Sequence, residues 1–172
     1  HPIEYQNHIF DQLMEVGKEF GLKPYGIRAM NSLRVEKSYK LVGTELSIEY
    51  SPYESGLDRF VHPNKGDFIG RAALDKWRAK GFSNKLVTME IHGVTDADVL
   101  GNNPIYDNGS VVGRATSGDF GFRLNKSIAL GMVKPELAKV GQKLKIDILG
   151  KMHEASIVEE SPYDSENKLL RA

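Results

Sequence analysis

Arg34 has the most chemistry to offer in this chain, because it stands between Leu33 and Val35 in an otherwise apolar stretch. A guanidinium in such a place is costly unless it is paired or turned into a cleft. Its planar fork of N–H donors matches a carboxylate, or a ring carbonyl beside a ring nitrogen, through two parallel hydrogen bonds that lysine cannot copy. A structural ion pair with Glu36 or Glu54 is the competing account. Tyr39, Tyr50 and Tyr53 present flat faces suited to stacking against a ring or to core packing. Glu54 and Asp58 are an even number of positions apart and would share one face of a regular strand, although Gly56 permits a bulge. Such a pair suits acid–base work or a solvated face.

Other chemistries have less support. His1, His8, His62, His92 and His153 are scattered without the spacing of a metal site. No G-x-S-x-G elbow surrounds Ser117, and Gly113 to Gly121, GRATSGDFG, lacks both the Walker lysine and the strand-then-helix setting of a dinucleotide fingerprint. That stretch reads as a barrel turn. The chain has no cysteine, so disulfides and thiolate chemistry are excluded within it. Lys plus Arg equals Asp plus Glu at 23 each, so no global field favours nucleic acid or an anionic membrane surface. No apolar run approaches the roughly 20 residues that a membrane helix needs.

Helices and strands must position these groups. Ile9, Phe10, Leu13, Val16 and Phe20 recur at helical spacing, with Gly21 as the stop, and this stripe is expected to pack on a sheet. A second helix is expected from about Ile27 to Tyr39. A third runs through Ala72, Leu74 and Trp77 to Gly81, with Asp67 a slightly early N-cap. From Lys85 onward short apolar runs alternate with turn residues: Leu86 to Ile91, Val111 to Ala115, Ile128 to Val133, Leu144 to Leu149 and Ala155 to Val158. They predict a small barrel or sandwich. Asn108-Gly109 marks a tight hairpin, Leu149-Gly150 a weaker one, and Pro135 opens a short helical segment before Gly141. The fold class is α+β: helices packed on a short antiparallel sheet over residues 1–83, then a small all-β barrel over residues 84–172.

Three runs in fixed order, RAMNSLRVEKSYKLVGTEL from Arg28, ESGLDRFV from Glu54 and KGDFIGRAAL from Lys65, resemble folate-dependent aminomethyltransferases of the glycine cleavage T-protein family. They are nearest the C-terminal region of sarcosine and dimethylglycine dehydrogenases. On that resemblance residues 1–83 are the rear part of the folate-binding lobe. Arg34 is the folate-binding arginine of the R-L-E segment, here R-V-E, and Tyr39 and Glu54 join it as folate contacts. Tetrahydrofolate is the implied cofactor, with FAD confined to an upstream domain. The implied reaction is transfer of a one-carbon unit to give 5,10-methylenetetrahydrofolate. Val42 before Gly43 departs from the tyrosine of the aminomethyltransferases and points toward the dehydrogenase branch. A glycine-cleavage aminomethyltransferase, a folate-dependent demethylase or a non-catalytic docking module are the alternatives. The Thr116-Ser117-Gly118 loop is expected at a domain junction, and Ser161 to Lys168 as a closing segment that returns toward the folate lobe. His1 opens without an initiator methionine, so the chain is read as a fragment, inactive alone. The implied partners are folate and upstream parts of the same polypeptide, with self-association through apolar surface those parts would cover. The expected location is the cytoplasm, or the mitochondrial matrix in a eukaryote.

Overall fold

The computed structural model describes residues 1–94 and 96–172. It divides into two compact units, His1–Met30 and Asn31–Ala172. In the first, helix α1 (Gln6–Gly17) continues into a 3-10 turn at Lys18–Phe20 that Gly21 closes with φ of 67°. Phe10, Leu13, Val16 and Phe20 form the expected stripe, yet all four are more than half exposed. The expected sheet beneath them is not there: among the described residues no strand precedes Lys85, and one isolated bridge joins Val42 and Leu46.

Helix α2 (Ile27–Glu36) ends three residues earlier than its apolar spacing suggests. Ser38 N–H donates to Val35 O and Tyr39 N–H reaches back to Arg34 O, with Ser38 at φ of 52°. This is a Schellman cap with serine in the left-handed position where glycine is usual. The chain then runs through turns to helix α3 (Arg71–Lys80), which starts after Gly70 rather than at Asp67 and stops at Gly81.

Six strands follow: β1 (Lys85–Ile91), β2 (Pro104–Asp107), β3 (Ser110–Gly121), β4 (Lys126–Val133), β5 (Lys143–Ile148) and β6 (Lys151–Val158). They close into an antiparallel barrel in the order β1-β4-β3-β2-β5-β6. Asn108 and Gly109 both take positive φ at the β2–β3 turn, and Leu149 and Gly150 do so between β5 and β6, so both expected hairpins form. Met89, Ile105, Ala129 and Ile146 fill the interior. Ile146→Ala removes a fully buried side chain that faces Ile105 across β2 and β5. A loss of about 2–5 kcal/mol is expected in urea denaturation.

The outer wall of β1, β4 and β3 is covered as well. Ile128, Leu130 and Met132 are buried there, which makes β4 apolar on both faces and explains the unbroken run SIALGMV. The segment GRATSGDFG, read as a turn, lies wholly within β3. A bulge between Ala115 and Ser117 leaves Thr116 unpaired with β4, after which Ser117 pairs with Leu130 and Asp119 with Ile128. Cross-strand partners share a face, so Ser117 and Asp119 stand on the outer wall while Gly118 faces inward beside Val99.

Candidate functional site

On the outer wall of the barrel a chain of polar side chains links α2, the strap of residues 41–56 and strand β3. Arg34 is only 7% exposed. Its Nε and Nη2 both donate to Asn31 Oδ1, at 3.2 and 2.6 Å, and its Nη1 donates to the carbonyl of Tyr39 at 2.8 Å. That carbonyl is within reach because the serine cap turns the chain back over the last helical turn. The nearest anion is Glu45, 3.9 Å from Nη1 and 0% exposed.

Glu45 gathers donors from three places. The Leu41 amide and the Thr44 hydroxyl bond one of its oxygens at 2.9 and 2.8 Å, and the Ser117 hydroxyl bonds the other. Burial works to raise its pKa, but these hydrogen bonds, led by Ser117, outweigh it and hold the carboxyl below its ordinary value. Arg34 behaves differently. Burial lowers its pKa, and the charges of Glu45 and Asp119 restore only part of the loss.

The carboxylates expected to pair with Arg34 are occupied elsewhere. Glu36 Oε1 accepts the Arg123 amide at 2.7 Å and the Leu124 amide at 3.3 Å, capping the β3–β4 turn. Glu54 is not on a strand with Asp58. It folds back within a turn, is 3% exposed, and accepts the Ser51 amide and hydroxyl on one oxygen and the Asn84 amide on the other. Asp58 opens a 3-10 turn and lies 3.2 Å from Lys85 Nζ.

Tyr39 lies beside Arg34 through its backbone, and its ring is half exposed. With Lys37, Lys40, Arg59 and Ser161 it lines a cavity of about 410 Å³. The closing segment forms the other wall. Tyr163 N–H donates to Glu36 O, Ser161 Oγ donates to Lys37 O, and Lys37 Nζ donates to Asp164 O and Asn167 Oδ1. Tyr50 is engaged by Arg114, whose Nη2 lies 2.6 Å from both the phenol oxygen and Glu49, so β3 also grips the strap. Tyr53 packs against Phe82 with ring centroids 5.6 Å apart. The site thus brings Arg34 and Tyr39 together and places Glu54 in another network. Sequence reasoning missed Asn31, Glu45 and Asp119, and named Ser117 only as part of a junction loop. The one hint was that Asn31 and Arg34 lie three apart on a helix.

Comparison with known proteins bears on the family and the fold. Residues 1–65 match the family described as the GCVT N-terminal domain, and residues 84–164 match the glycine cleavage T-protein C-terminal barrel domain. Human mitochondrial dimethylglycine dehydrogenase is 40% identical over 153 residues, covering 88% of this chain and 18% of that protein. Aminomethyltransferase of Desulfitobacterium hafniense strain DCB-2 is 37% identical over 157 residues, 91% of this chain and 42% of that one. The chain therefore spans less than half the length of these relatives. The crystal structure of glycine cleavage system aminomethyltransferase T from Bartonella henselae superposes with a TM-score of 0.81 at 23% identity, over 95% of this chain and 45% of that one. It shares the fold.

Proposed function

Because the chain belongs to the glycine cleavage T-protein family and is homologous to dimethylglycine dehydrogenase and aminomethyltransferase, we propose that it is the tetrahydrofolate-binding, one-carbon-transfer region of a dehydrogenase of the sarcosine or dimethylglycine type. Residues 1–83 are taken as folate lobe and residues 84–172 as barrel domain. The observation that carries the reading is the Arg34 fork, buried and held in one plane by Asn31. Three of its five N–H groups have acceptors among the described residues, its Nη1 also faces Glu45 at 3.9 Å, and the remaining donor capacity is what a ligand would engage. That capacity fits a pterin edge or a carboxylate. Tyr39 offers its half-exposed ring for stacking, and the cavity it lines has room for part of such a ligand. The geometry favours these two over Glu54, whose oxygens are already committed.

Tetrahydrofolate, when bound, supplies N5 and N10 as acceptors of the one-carbon unit. This chain's contribution is to orient the ring and keep water from it. Val42, 88% exposed before Gly43, gives no phenol to a ligand, which supports the dehydrogenase branch over the aminomethyltransferase branch.

Calorimetric titration of the full-length protein with reduced folate tests the assignment. Arg34→Lys keeps the charge and loses the fork, and it is expected to weaken binding by roughly tenfold or more, nearly as much as Arg34→Ala. A lysine variant that binds as tightly as wild type rules the assignment out.

A further inference from the structure

Resting on the assignment of Arg34 to folate, we propose that Asp119 is a positioning residue for that arginine and acts on it through the amide of Asn31. Asp119 Oδ2 accepts from Asn31 Nδ2 at 2.7 Å, while its Oδ1 accepts the Phe120 amide at 2.8 Å. A second, longer bond runs from Asn31 Nδ2 to the Gly118 carbonyl at 3.2 Å. Two acceptors on the barrel strand therefore claim the NH2 end of the amide. Its oxygen is left facing Arg34, where it takes both N–H groups on one edge of the guanidinium.

The reversed amide is excluded by its own chemistry. It would set NH2 against the guanidinium donors, and its oxygen against a carboxylate and a carbonyl. So the plane of the guanidinium is decided by β3 and relayed to the helix. The bulge at Thr116 is what makes this geometry available. Without the extra residue, alternation along β3 would carry Asp119 to the inner face of the barrel, away from Asn31. Asn31 and Arg34, three apart on α2, are neighbours on the helix surface whatever the barrel does. The barrel contributes the direction.

The test measures reduced-folate affinity by calorimetry on the full-length protein, with thermal melting read in parallel. Asp119→Asn offers one carbonyl oxygen where two acceptors are needed, for Phe120 N–H and for Asn31 Nδ2. Either contact must then meet an NH2, and folate binding is expected to weaken about tenfold. The exchange N31D/D119N restores the contact between the two side chains in reverse, but gives up the longer bond to the Gly118 carbonyl, which a carboxylate cannot supply. The amide now on the strand bonds Phe120 N–H with its oxygen and donates to the carboxylate now on the helix, whose other oxygen accepts Arg34.

Recovery of affinity to within about threefold of wild type in the exchanged protein supports positioning, because a residue that only stabilises the fold would not be rescued by relocating its charge. Affinity that stays low in the exchange while the melting temperature recovers overturns the proposal. So does an Asp119→Asn protein that binds like wild type while Arg34→Lys does not. If the Arg34 variants themselves bind like wild type, the folate reading fails, and it takes this inference with it.

Discussion

Glu45→Ala is expected to lower stability by about 3–5 kcal/mol, the range for removing one partner from a buried ion pair. The carboxylate is fully buried, and its removal leaves the Arg34 cation with a single counter-charge, Asp119, acting across the Asn31 amide. It also takes the acceptor from the Leu41 amide and from the buried Ser117 hydroxyl. For a chain of this size that loss corresponds to a fall of roughly ten degrees or more in melting temperature. Glu45→Gln keeps the shape, loses the charge and turns an NH2 toward donors on one side, so it should fall between alanine and wild type.

The pH dependence has a definite sign. The folded pKa of Glu45 lies below its unfolded value, so its contribution is fully present above the ordinary carboxyl range near 4.5 and is lost as pH falls through the lower, folded value. The stability gap between wild type and Glu45→Gln should therefore be widest at neutral pH and narrow in acid. Urea midpoints at pH 7 and below 4.5 measure it, and a gap that widens on acidification would contradict the hydrogen-bond account.

Gly118→Ala is expected to have a comparable effect for a steric reason. A Cβ on this inward-facing residue would lie 2.5 Å from Val99 Cβ and 2.6 Å from the Val99 carbonyl oxygen. One of those atoms is backbone, so rotating a side chain cannot make room. Overpacking of this kind costs about 1–3 kcal/mol and occasionally more. Here the upper end is expected, because Gly118 O also accepts from Asn31 on the outer side and an outward shift of the strand would press it into that contact. The diagnostic is the double variant. Val99→Ala removes the two methyl groups but leaves both the Cβ and the carbonyl in place, so it should not rescue Gly118→Ala. Rescue in a double-mutant cycle of urea midpoints would show that the clash involves the side chain after all.

Much of the barrel was legible in the chain because its signals are local. Asn108-Gly109 demands a hairpin whatever surrounds it, Gly81 ends a helix by conformation alone, and the apolar run of β4 needs only cover on both faces. The long strand β3 was harder. Its glycines at 113, 118 and 121 look like punctuation, yet they give room to Met132 and Val133, to Val99 and to Glu36 respectively. The serine cap after α2 carries no glycine to announce it, and that concealed the return of Tyr39 O to Arg34.

The site was legible to the extent of one residue and its motif. Arg34 draws attention by its apolar neighbours, but its partners come from positions 45 and 119, and residue 119 reaches it only because a bulge resets which face it occupies. No spacing rule connects such positions. Glu54 was misjudged on secondary structure, since an even separation from Asp58 means one face only in a strand, and the segment is a series of turns.

The ring of strands starts and finishes on neighbours: β1 lies against β6, with Thr88 opposite Val158. Polypeptide therefore goes into the ring and comes out of it at the same rim, and residues 160–167 come down on the end of α2. The cylinder is thus a single excursion of the chain that leaves and returns at one rim, and α2 and the strap hold its outer wall as well. Its whole weight of structure is spliced between a helix terminus and the strip of chain that covers it, so a tilt of the cylinder would pull on both together.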